Sequence, residues 1–236
     1  MNTIIHKAGW AVAGVLALLV AAALSGVIDA GPLDPPGAPA PTLKTLQEVE
    51  PRTPVQSLPG DTGVLHVISS PGSYYLTGNI TGVSGKYGII IEASNVTLDL
   101  NGFTLSGVAG SFDGILAASV VQNVHVKNGA VRGWGGAGVA LANADNSRIE
   151  GIRSSNNTGG EGIVLMGGIL SDCEAISNGG NGIRVVLAAA VSDCTSSGNT
   201  GHGFQIGQAT ALSGCAAKNN TLMASMPRTA SRSLAA

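Results

Sequence analysis

Aromatic residues make up 3% of this 236-residue chain and charged residues 11%. An ordinary enzyme core draws more heavily on Leu and Phe, so that kind of interior is excluded. The formal net charge is −2, with no long run of either sign, which excludes an electrostatic footprint for nucleic acid. There are only three cysteines, an odd number that cannot close a full disulfide framework. No nucleophile elbow, phosphate loop or zinc motif occurs. Beyond residue 60 proline nearly vanishes, leaving Pro71 and Pro227.

What remains is glycine, 35 residues of it, with Asn, Ser, Val and Ile, a mixture suited to short strands and tight bends. Asn157, Asn178, Asn199 and Asn220 fall 21 residues apart. Cys173, Cys194 and Cys215 keep that interval, as do Ile149, Leu170, Val191 and Leu212. Three columns with one period describe coils of about 21 residues lying on one another. A single coil cannot bury its inward side chains, so stacking buries them and pairs the backbone in parallel. A Gly followed by a large apolar residue recurs at Gly88, Gly114, Gly138, Gly162, Gly182 and Gly203. Second strands such as Val96–Leu100 and Val124–Val126 follow Asn95 and Asn123, and Asn146 is placed likewise. The bends repeat as Gly or Asn because both tolerate left-handed backbone. The Asn column predicts a side-chain ladder between bends. The Cys column predicts inward stacking of small hydrophobes. Neighbours at strand spacing fall within disulfide range, so one bridge with a thiol left over is the alternative.

Four segments follow. Residues 1–30 have the pattern of a signal peptide: Lys7, an apolar run from Ala8 to Ile28, and Ala30 at the cleavage point. This predicts a secreted or cell-envelope location; the rival is a retained membrane anchor. Residues 31–60 form a Pro-rich linker whose eight prolines forbid a regular sheet, with one short helical turn over 42–49. Residues 61–220 carry the repeat. Residues 221–236 lose its grammar and read as an irregular tail, motivating the expectation of a truncated or frame-shifted end.

The phrases Asn178–Val186, Gly159–Leu165 and Asn95–Gly107 resemble right-handed parallel β-helix proteins of the pectin-lyase-like type, secreted bacterial members among them. The resemblance implies an all-β solenoid of about six or seven coils. It implies polysaccharide contact more loosely, since that fold serves lyases, glycosidases and inactive surface proteins alike. The leading expectation is a non-catalytic surface or secreted module touching polysaccharide. A uronan lyase or glycosidase is one alternative, and a structural spacer or adhesin another.

Candidate chemistry is sparse. Arg132 and Arg153 are 21 apart with Glu174 next in the series, a stack that could hold a uronate carboxylate or make a screened surface pair. Trp134 could stack on a sugar or cover the side of the coil. Asp172 and Asp193 are weak calcium candidates, short of the six to eight oxygens calcium takes; solvated surface carboxylates are the alternative. No other cofactor is expected. Gly201-His202-Gly203 looks like the Gly-His-Gly of polygalacturonases, but no aspartate pair lies one coil earlier. His202 therefore reads as a variable bend residue in the slot of Glu161 and Asn181. His125, between Val124 and Val126, points outward by alternation. No catalytic residue is assigned.

Overall fold

Leu46–Ala236 form one compact unit. The computed structural model describes residues 52–222 and 234–235 of it. The expected signal peptide, the expected linker up to residue 51 and the expected short helical turn over 42–49 lie outside the described residues.

Seven coils make a three-sided solenoid. Face one is a seven-stranded parallel sheet of Val64–Ile68, Tyr87–Ile91, Ile115–Ala117, Val139–Leu141, Ile163–Leu165, Ile183–Val185 and Phe204–Ile206. Faces two and three form one continuous fourteen-stranded sheet. They join because Val124–Arg132 and Ser147–Ser155 each run through both faces. In later coils two residues, the first of them left-handed, separate Gly168–Ser171 from Glu174–Ile176, and Ala189–Ser192 from Thr195–Ser197.

The registers confirm the sequence columns. Ile149, Leu170, Val191 and Leu212 are partners in successive coils. The Gly-apolar phrases open the face-one strands, pairing Ile89, Ile115, Val139, Ile163, Ile183 and Phe204 in turn. These six side chains are fully buried, which is how the stack makes a core without a second layer. The preceding glycine has a packing cause. A Cβ on Gly162, Gly182 or Gly203 would lie 2.6 Å from the amide nitrogen of Asn178, Asn199 or Asn220 respectively. The ladder amides press on the backbone where each face-one strand begins, and only glycine leaves them room. Asn95, Asn123 and Asn146 take left-handed backbone, φ 59°, 57° and 47°, and Asn123 Nδ2 donates to Asn95 Oδ1 at 2.9 Å.

Two boundaries move. The linker does not run to residue 60, because Thr53–Pro54 pairs in parallel with Tyr74–Tyr75 and Val55 is fully buried. Pro54 is accommodated on an edge strand, where its missing N–H breaks no interior ladder. The amide of Gln56 continues the pairing: its Nε2 donates to Gly78 O at 3.0 Å and its Oε1 accepts Thr77 N at 3.1 Å. At the other end the tail is not wholly irregular. Leu222 bridges His202, and Leu234–Ala235 pairs with Cys215–Ala216.

Candidate functional site

The bend from face three to face one carries the most chemistry. It opens with a left-handed residue, Gly133, Asn156, Ser177, Gly198 and Asn219 in successive coils. The next residue turns inward and is Trp134, Asn157, Asn178, Asn199 and Asn220. Each Asn Oδ1 accepts the backbone N–H one coil earlier: Trp134 N to Asn157 at 3.0 Å, Asn157 N to Asn178 at 3.2 Å, Asn178 N to Asn199 at 2.9 Å and Asn199 N to Asn220 at 3.0 Å. The side-chain amides bond down the same column at 2.8–2.9 Å. The expected ladder is therefore continuous, and Trp134 heads it.

Outside the ladder lies a shallow depression of about 210 Å³, lined by Ser106, Gly107, Arg132, Gly133 and Asn156. Arg132 is exposed, and no described carboxylate pairs with it. Ser106 and Ser155 flank it in register, so the surroundings are hydroxyl and backbone.

A model of the right-handed β-helix region matches residues 67–222. The chain belongs to the right-handed β-helix family. No curated protein and no solved structure matches it. The match opens within the first face-one strand and closes at the Leu222 bridge.

This β-helix corrects two expectations at the bend. Arg132 does not stack on Arg153: the coil is 23 residues long there, so Arg132 pairs with Ser155 and Arg153 with Ala130. Arg153 continues instead to Glu174, whose Oε2 accepts its Nε at 2.6 Å. That hydrogen bond, followed by the carboxylate's charge, raises the Arg153 pKa. Arg153 is thus occupied, and among the described arginines Arg132 keeps an open guanidinium. Trp134 cannot stack on a sugar, because it is 0% exposed. Its indole lies among Gly82, Gly88 and Gly114, and Nε1 donates to Leu105 O at 3.3 Å. Those glycines made an inward tryptophan legible in principle, since a large ring needs bare backbone around it.

A second column ends the same bend, the residue before each Gly-apolar phrase: Tyr87, Asp113, Ala137, Glu161, Asn181 and His202. Sequence reasoning saw the last three in one slot and missed Asp113. Burial, and then the charge of Glu161 two coils on, raise the Asp113 pKa, while the hydrogen bond from Ala137 N at 2.6 Å works against the shift. Glu161 Oε1 accepts Arg184 Nε at 2.9 Å. The backbone N of His202 donates to Asn181 Oδ1 at 2.8 Å, in keeping with a bend residue.

Asp172 and Asp193 have φ 55° and 53° and share their column with Asn128, Gly151 and Gly214, all left-handed. Their type follows from that backbone. Among the described residues no three His, Cys, Asp or Glu gather where they could hold a metal. Cys173, Cys194 and Cys215 are free, buried thiols. Their Sγ atoms donate to Ser171, Ser192 and Ser213 carbonyls at 3.1–3.4 Å. His125 is on face two, Nε2 3.4 Å from Glu150 Oε2 without hydrogen-bond geometry. Burial first, then Lys127, lowers its pKa.

Proposed function

We propose that this β-helix is an exported surface or secreted module that holds an acidic polysaccharide at Arg132 without cleaving it. The observation that carries this is an exposed guanidinium with no carboxylate partner among the described residues, set in a depression with Ser106 and Asn156. Guanidinium binds carboxylate bidentately, and the hydroxyl and amide beside it suit a sugar's hydroxyls. The apolar run at Ala8–Ile28 followed by Ala30 supports export.

The test is retention on immobilised polygalacturonate, measured by surface plasmon resonance. Arg132→Ala should weaken binding about tenfold, the scale of one charge-assisted hydrogen bond. Salt at about 1 M should do the same by screening. Equal binding by wild type and Arg132→Ala sinks the proposal. Absence of all retention favours a spacer or adhesin.

One observation favours a second possibility, glycoside hydrolysis. Asp113 and Glu161 share one column two coils apart, and burial, with the charge of Glu161, raises the Asp113 pKa, as the acid of an inverting carboxylate pair requires. Reducing ends released by wild type and lost in Asp113→Asn would replace the non-catalytic proposal with this one.

A further inference from the structure

Half-buried Tyr87 and exposed Phe112 form an aromatic pair one coil apart, ring centroids 4.9 Å and planes at 42°. Phe112 is 45% exposed, and Val83 beside them in the chain 47%. An aromatic pair at this separation is ordinary inside a core; at the surface of a chain with 3% aromatics it lacks that explanation. Among the described residues the other exposed large apolar side chains, Val120, Ile169, Leu187 and Leu222, are aliphatic. Tyr74 is buried, and Tyr75 lies under the Arg52 guanidinium at 4.6 Å.

The backbone under the pair is fixed. Tyr87 N donates to Gly63 O at 2.8 Å and Phe112 N to Lys86 O at 2.9 Å, while Phe112 O accepts Gly136 N at 3.1 Å. The rings therefore stand ready without an ordering cost on binding. The same short loop also lines the Arg132 depression: it leaves Gly107, a lining residue, turns through Ser111 N to Val108 O at 3.0 Å, and ends at Phe112. Five residues span at most about 18 Å, and the turn shortens that.

We infer that the Tyr87–Phe112 pair is a sugar-stacking subsite continuous with the Arg132 depression, so that this edge takes an acidic oligosaccharide longer than one unit. This rests on the proposed polysaccharide contact and adds where the chain lies. An apolar ring face offers a platform for the C–H face of a sugar, and a cation a few units along offers a partner for its carboxylate. Binding sites pair a broad apolar surface with few oriented polar groups in this way. The two contacts fall to different units of one chain, so affinity should climb with chain length and depend on Phe112 only once the chain bridges the loop.

The experiment titrates the full chain with galacturonate oligomers of one to six units by calorimetry, for wild type, Phe112→Ala, Phe112→Leu and Arg132→Ala, with folding checked by circular dichroism. Loss of about tenfold for the hexamer in both Phe112 variants is expected, the scale of one aromatic contact, with no change for the monomer. Hexamer affinity unchanged in the Phe112 variants but lost in Arg132→Ala overturns the subsite and leaves the proposed function standing. Full affinity in Phe112→Leu with loss in Phe112→Ala marks a generic apolar contact, such as a peptide would make, and overturns it too. No binding by wild type removes both.

Discussion

Asn178 serves three coils at once. Its Oδ1 accepts two bonds from Asn157, its Nδ2 donates to Ser154 O at 3.2 Å and to Asn199 Oδ1, and its backbone N reaches Asn199. Asn178→Ala strips partners from buried groups that water cannot reach, which should cost about 2 kcal/mol in urea unfolding. Lys218, exposed at the end of strand Cys215–Lys218, should cost near zero when changed to Ala. Equal losses would mean that the ladder adds nothing. This column was legible because its period and its residue type agree. Trp134 was not, since it fills the ladder's slot with a different residue type. The open state of Arg132 was equally hidden, because a count of 21 residues suggests Arg153 as its neighbour while the local coil has 23.

Bends and strands are coupled through the glycine that opens each face-one strand. A Cβ at Gly182 would overlap Ser196 Oγ and lie 2.6 Å from Asn199 Nδ2. Gly182→Ala should destabilise by about 2 kcal/mol, as overpacking does, and the penalty should shrink when Asn199→Ala removes the amide it strikes. A double-mutant cycle measures that coupling; additive effects would separate the two columns. At this scale the faces were readable from period and alternation. The Thr53–Pro54 strand was not, because proline masks an edge strand as linker. Asp113 escaped for a related reason: its slot in the repeat accepts Tyr, Asp, Ala, Glu, Asn and His alike, so no residue type marks it.

The whole stack draws its stability from neighbours, and its thiols tie that stability to pH. The hydrogen bond with Cys173, reinforced by burial, raises Cys194 from 9.0 to about 12. Cys215 is raised as well, chiefly through its hydrogen bond with Cys194. A raised folded pKa means that the native state holds the proton more tightly than the unfolded chain. This contribution is whole below pH 9 and lost as pH climbs through about 12. Urea midpoints should hold near neutrality and fall across that alkaline window, less steeply in Cys194→Ala; the same slope in both would sink this account. The solenoid was legible at this scale because every coil repeats the same physical solution. The proposed binding edge was not, because it depends on the coils that differ. Trp134 adds a consequence of another kind. The chain holds two tryptophans, and Trp10 lies in the apolar run of residues 8–28. In a chain cut to begin at residue 31, all indole light comes from one ring sealed inside the bare glycines of the early coils. Its emission colour then reports the opening of that end alone, separating local loosening from collapse of the later coils in a single optical trace.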